Sequence, residues 1–333
     1  MERLKNKIPA NAFRLDTEAL AGTDEADEAV LLVDRIARYA GAKSRALQML
    51  DYLQELPAIP YATKHGMRNR EAVPARVTSS LGSCASYLHF REYFTVGKVR
   101  LHSAQFCKQH LICPMCAIRR GSKALSAYLE KFNVIKSEHK HLKPYLLTLT
   151  VLNGDDLAER QKHLEKSLRT LMTRRRLHNS NPLRNPFTEL CKAEAGVYTL
   201  ELTNKGKGWH PHVHMIVLTA SRIDSKALSA EWLAITKDSF VVDCRPITGD
   251  PADGFMEVFK YAVKFSDLTL EDNWHAAQIL KGKRLLNSFG LFRGVEVPDD
   301  LLDVPLDELP YWDRFYRYVN GSYQLTGECP RTE

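Results

Sequence analysis

Residues 206–218 read GKGWHPHVHMIVL, and residues 196–203 just before them read GVYTLELT. His210, His212 and His214 take every second position ahead of an apolar run. Strand side chains alternate between two faces, so this spacing sends all three imidazoles to one side and Val213, Met215 and Val217 to the other. The pattern predicts a half-buried strand carrying a polar site. If VYTLELT pairs antiparallel with HVHMIVL across the NKGKGWHP turn, a symmetric register gives Glu201 the parity of His212 and His214 and sets it beside both rings. Two imidazoles and a carboxylate make an open three-ligand site for Mg²⁺, Mn²⁺ or another divalent ion, with room for substrate oxygens. The bland alternative is a surface strand whose histidines merely face solvent.

The flanking segments set the fold class. PYLLTLTVLN (144–153) is β-branched and apolar, reads as a central strand, and ends in a turn at Asn153 and Gly154. An amphipathic helix is expected from about Asp155 to Arg176, followed by the loop NSNPLRNP. After the histidine strand come a helix near SKALSAEWLAITKDS, a strand at FVVDCRPI and a helix beginning near Gly254. Strands joined by helices, with one adjacent hairpin, predict an α+β fold: an antiparallel sheet with flanking helices.

Two further constellations carry chemistry. In MEVFKYAVKF (256–265), a helix places Glu257 and Tyr261 one turn apart, likewise Lys260 and Lys264, and gives Tyr261 and Lys264 a common face. A tyrosine oxygen attacks phosphorus when a metal polarises the phosphate and cations stabilise the developing charge. The alternative is a helix whose tyrosine packs on the core and whose lysines are solvated. In CKQHLICPMC (107–116), the Cys113-x-x-Cys116 pair is a half-site for tetrahedral zinc. Cys107 is the third candidate ligand, and either Cys84 or His110 the fourth. Buried, unligated cysteines are the competing reading.

Bulk properties bound the rest. A chain of 333 residues, 44% hydrophobic, builds a substantial core, and no run approaches the roughly 20 apolar residues of a membrane span. The N-terminal residues lack the apolar core of a secretory signal, and the seven cysteines are odd in number, which argues against a disulfide framework. A cytoplasmic location is expected. The net charge of +7 is a weak pointer to nucleic acid, but its distribution says more. Basic residues from Arg160 to Arg184 are concentrated in mid-chain, whereas 296–308 are acidic. The expected organisation is a helical extension and linker (1–75), a zinc-binding segment (76–140), a catalytic domain (141–295) and a C-terminal tail (296–333).

LLTLTVLN, the Glu-x-Thr and HPHVH hairpin, and EVFKYAVK about 45 residues on resemble, in order and spacing, the three motifs of rolling-circle plasmid replication initiator (Rep) proteins of the HUH endonuclease superfamily. CKQHLICPMC upstream and KGKRLLNSFGLFRG downstream also resemble that family, so the likeness covers roughly residues 80–295. It implies His212 and His214 as the metal pair, His210 as a helper and Glu201 as the third ligand. It implies Tyr261 as the nucleophile that nicks one strand and becomes linked to its 5′ phosphate, with Lys264 beside it. Glu257 would activate water at termination. Mg²⁺ or Mn²⁺ at the catalytic site, structural Zn²⁺, an origin DNA in single-stranded or cruciform form, host helicase and polymerase, and a homodimer are the implied cofactors and partners. Two other classes compete. HPHVHMIV also fits the pattern of histidine-triad nucleotide hydrolases, in which the middle imidazole is the nucleophile, and a non-catalytic zinc-containing DNA-binding regulator would need no nuclease site.

Overall fold

The computed structural model describes residues 25–64, 66–259, 268–306 and 308–331. In chain order these form α1 (Glu25–Glu55), β1 (Ile59–Thr63), β2 (Gly66–Arg70), α2 (Ala75–Ser83), β3 (Tyr87–Tyr93), β4 (Lys98–Ala104), α3 (Pro114–Glu138), β5 (Lys143–Thr150), α4 (Leu157–Ser180), β6 (Ala193–Asn204), β7 (Trp209–Thr219), α5 (Ser225–Thr236), β8 (Val242–Pro246), α6 (Pro251–Phe259), α7 (Leu270–Leu280), β9 (Leu286–Gly290), β10 (Tyr311–Val319) and β11 (Ser322–Arg331). They divide into two compact units, one drawn from 1–123, 269–273 and 298–333, the other from 124–268 and 274–297. Among the described residues no helix is long and apolar enough to cross a membrane.

The second unit contains the histidine strand. Its sheet has the order β8-β5-β7-β6-β9 with every pairing antiparallel. This is the α+β architecture expected, and β5, the PYLLTLT strand, is interior as expected, paired with β8 on one side and β7 on the other. The expectation of a half-buried strand needs correction, because β7 is buried on both faces. Val213, Met215 and Val217 are fully buried, and each contributes roughly 1.5–3 kcal/mol of apolar burial. Helix α4 covers that side of the sheet through Leu164, Leu168 and Leu171, spaced four and three apart. Asp156 starts α4 at its N-cap by accepting from the amides of Ala158 and Glu159. On the other side, the Thr199 hydroxyl donates to the Val258 carbonyl at 2.8 Å and docks α6 over the histidine face. Tyr128 and Phe132 of α3 pack against Phe259 and Phe255 of α6, each pair with ring centroids 5.3 Å apart.

The turn between β6 and β7 is fastened to the loop after β5. Gly208 has φ +82°, and a Cβ there would lie 2.9 Å from the Gly154 carbonyl oxygen. That close approach permits two backbone bonds, Trp209 N–H to Gly154 O at 2.7 Å and Gly154 N–H to Trp209 O at 3.1 Å. It also brings Asn153 to the edge of the histidine row.

The first unit has a four-stranded antiparallel sheet of order β11-β10-β3-β4. Residues 296–333, expected as a tail, thus supply two of its strands. Asn320 and Gly321, with φ +49° and +87°, make the tight turn between them. The stretch after α1, expected as linker, contains the exposed hairpin β1–β2. Asp303 ties this unit together. Its carboxylate accepts from Arg35 at 2.7 Å, Arg119 at 2.6 Å and the Leu101 amide at 2.6 Å. Arg119 also donates to the Leu301 carbonyl and, with Arg35, to the Tyr39 hydroxyl.

Candidate metal centre and active site

The register of the sheet builds the site. Glu201 of β6 stands directly opposite His212 of β7, and His214 lies between Thr199 of β6 and Thr148 of β5. All five side chains share one face by strand alternation. His212 Nε2 is 3.3 Å from Glu201 Oε1, and His214 Nε2 is 3.2 Å from Glu201 Oε2. Glu201, His212 and His214 are only 2%, 7% and 9% exposed, so water gives this cluster little screening.

The outer nitrogens of both rings are engaged. His212 Nδ1 lies 3.1 Å from the His210 carbonyl oxygen, which can only accept, so Nδ1 carries the proton. In the neutral ring Nε2 is therefore a lone pair facing a carboxylate oxygen. Two acceptors at that distance require a positive charge between them, either a proton or a metal ion. His214 Nδ1 is held 3.1 Å from the Thr148 hydroxyl, leaving its Nε2 toward the same carboxylate. The donor set thus fits a divalent cation, with the ligand atoms of Glu201, His212 and His214 all within 4.8 Å of one another.

His210 falls outside this group. It shares the face, but its Nδ1 pairs with Asn153 Oδ1 at 2.6 Å, and burial followed by the nearby His212 lowers its pKa. Because the β5 loop holds the ring at the rim, the alternation of three histidines yields two converging donors. Motif reasoning misses both Asn153 and Thr148, although Thr148 has the correct parity in LLTLT. Glu257 is half-buried near the end of α6, the helix docked on this face. Tyr261 and Lys264 lie outside the described residues.

The cysteine cluster occurs in the first unit. Cys84 follows α2, Cys107 follows β4, Cys113 immediately precedes α3 and Cys116 sits in its first turn. Cys84 Sγ is 3.6 Å from Cys113 Sγ and 3.6 Å from Cys116 Sγ, while Cys107 and Cys116 are 3.5 Å apart. A zinc tetrahedron with bonds of about 2.3 Å has edges of about 3.8 Å, so four thiolates at these separations fit one ion. Hydrogen bonds from Cys107, Cys113 and Cys116 hold the Cys84 thiol low. Thiol–thiol hydrogen bonds, Cys107's first, and burial raise Cys113 and Cys116. Lys43 steadies the loop by donating to the carbonyls of Gly82 at 2.6 Å and Cys84 at 2.7 Å.

His110, the alternative fourth ligand, is not in the cluster. It lines a cavity of ≈ 180 Å³ beside the cluster, with Lys108, Arg120, Asp299 and the cluster's own Cys116. Lys108, two residues before His110, has φ +57°, a left-handed step at the start of the loop between Cys107 and Cys113.

Comparison with known proteins places the chain in a family. The family described as Replication protein (Rep_1) matches residues 98–310. A Protein rep of a Bacillus species is 27% identical over 261 residues, covering 66% of this chain and 80% of that relative. A Protein rep of Bacillus amyloliquefaciens is 27% identical over 220 residues, 63% of this chain and 57% of the relative, so the chain spans a little over half of that protein. No solved structure matches the chain. With well over half of its length matched by the family, the chain belongs to the replication-protein (Rep) family of plasmid replication initiators.

Proposed function

We propose that this initiator is a metal-dependent nickase and strand transferase of the HUH type, which opens one strand of a rolling-circle origin. The observation carrying this reading is the buried convergence of His212 Nε2, His214 Nε2 and the Glu201 carboxylate on one face of β7. A divalent ion bound there supplies Lewis-acid charge to a scissile phosphate. The chain's residues do the remainder. Glu201, His212 and His214 hold that charge in a water-poor place, and Thr148 and the His210 carbonyl orient the rings.

Tyr261 then attacks phosphorus. Its oxygen forms the new bond as the bond to the 3′ oxygen breaks, the tyrosine proton is lost, and the departing oxygen takes up a proton to become a 3′ hydroxyl that primes synthesis. Lys264 stabilises charge on the phosphate, and Glu257 activates water when replication ends. Support comes from Thr199, which anchors α6 at Val258 on the face that carries Glu201. Position 261 follows Val258 by three residues, a chain span of at most about 11 Å.

The test compares wild type with His214→Ala on the protein's own origin as labelled single-stranded DNA, with Mn²⁺ or Mg²⁺. Metal-dependent nicking lost in the variant, with the circular-dichroism spectrum unchanged, is expected. Nicking at the wild-type rate by His214→Ala would overturn the assignment.

A further inference from the structure

A second feature lies on the opposite side of the same sheet. Tyr198 and Leu200 of β6 pair with Met215 and Val213, so they point away from Glu201 and the histidines. They line a groove of ≈ 590 Å³ between α4 and β9. Its floor is apolar, formed by Leu168, Met172, Leu200 and Phe289, and its walls are cationic. Arg169, Arg175 and Arg176 line it from α4, and Lys283, Arg284 and Arg293 from the residues around β9.

The charge is largely uncompensated. The groove's single acid, Glu165, is paired with Lys283 at 2.7 Å. Arg175 is structural, since it donates to the Ala193 carbonyl and lies over the Phe289 ring at 4.3 Å. Arg169, Arg176, Arg284 and Arg293 are exposed and form no ion pair among the described residues. Along α4 the cations continue beyond the groove, because Lys162, Lys166, Arg169 and Arg176, with the neutral Thr173 between the last two, recur at intervals of four and three and form one stripe. At 1.5 Å per residue that stripe is about 21 Å long, roughly six phosphate steps of one DNA strand.

We infer that this groove and stripe grip the phosphate backbone of duplex DNA on the sheet face opposite the candidate nicking site, so that the protein has a holding surface distinct from its cutting surface. Duplex is favoured over single strand by what the groove lacks. Binding of single strands relies on exposed aromatic faces that stack bases. Here Phe289 is 4% exposed and covered by Arg175, so the half-buried Tyr198 is the one partly accessible ring lining the groove, too few for successive bases to stack on, and charge remains the main means of recognition. The choice of DNA as the polyanion rests on the reading of the chain as a replication initiator.

The test uses the full-length protein with Arg169→Gln, Arg176→Gln, Arg284→Gln and Arg293→Gln combined, measured by fluorescence anisotropy against a labelled 30-base-pair duplex and a 30-nucleotide single strand over a salt series. Four lost phosphate contacts should make the slope of log affinity against log salt shallower by about 3 to 4 for the duplex. Nicking of a short single-stranded origin oligonucleotide should be unchanged. A wild-type duplex slope, or a loss confined to the single strand, would overturn the inference. If the fourfold variant fails to fold by circular dichroism, Arg169→Gln with Arg176→Gln, both on exposed helix surface, should make the slope shallower by about 2, and an unchanged slope there would also overturn it. Because binding is read without cleavage, the role of the groove is decided even for a protein that never nicks DNA.

Discussion

Replacing Asp303 by Asn should destabilise the first unit far more than a change of one atom suggests. Asp303 is the shared anion of Arg35 and Arg119, whose side chains are 7% and 1% exposed. The carboxamide still accepts from the Leu101 amide but withdraws the negative charge that Asp303 presents to two buried guanidinium groups. Breaking a buried pair in this way costs roughly 3–5 kcal/mol. For a unit of this size each kcal/mol lowers the melting temperature by about 2–4 °C, so a fall of about 6–20 °C is expected. The two units need not melt together, so the assay is calorimetry combined with hydrogen exchange of a peptide covering 98–104. Exchange there should accelerate in Asp303→Asn while a peptide covering 209–219 is unaffected. A companion variant with Arg35→Met, Arg119→Met and Asp303→Leu removes all three charges and should recover much of the loss. A variant Asp303→Asn that melts within about 2 °C of wild type would refute the reasoning.

Other outcomes follow from the same structure. Against the cost of burial, Arg119 and Arg35 hold the Asp303 carboxyl well below its ordinary value. A depressed folded-state pKa gives stability that is present above the unfolded value of about 3.9 and is lost as pH falls toward the folded value, so acid unfolding of wild type should begin below about pH 4 and be blunted in Asp303→Asn. Thr148→Val removes the partner of His214 Nδ1 and should weaken Mn²⁺ binding about 10- to 100-fold, read by electron paramagnetic resonance, while the fold is kept. Metal analysis should find one zinc per chain, and Cys113→Ser should lose it and unfold the first unit before the second. Gly290 has φ +62°, and an added Cβ would lie 1.8 Å from the Glu194 carbonyl, so Gly290→Ala should disrupt the β6–β9 pairing and lower the melting temperature by several degrees; an unchanged melt would contradict this.

What can be read from residues alone is whatever depends on local period. Alternation in GVYTLELT and HPHVHMIVL is enough to place Glu201 on the face of His212 and His214, because one residue of slip would turn every side chain to the wrong face, whereas the pairing directly opposite His212 is set by the register of the sheet. The same parity applied to LLTLT reaches Thr148. Asn320-Gly321 between alternating runs is a hairpin signal that 296–333 carries in plain view. Long-range convergence is not readable. Asp303 meets Arg35 and Arg119 across 268 and 184 residues, and nothing local to any of them names the others. Cys84 and His110 are equivalent candidates by spacing, because the choice depends on how α2 and the loop after β4 come together. His210 is set apart by Asn153, 57 residues earlier, through a turn that only the tertiary structure brings near.

In the proposed reaction a tyrosine attacks a phosphate held at the Glu201–His212–His214 face. That attack is tested most directly by trapping the protein on its own origin as single-stranded DNA with Mn²⁺, digesting the adduct and locating the nucleotide by mass spectrometry. A 5′-phosphonucleotide on Tyr261, absent from Tyr261→Phe, is expected. A nucleotide on His212, with Tyr261→Phe still competent, would contradict the proposal and place the chemistry on the middle imidazole.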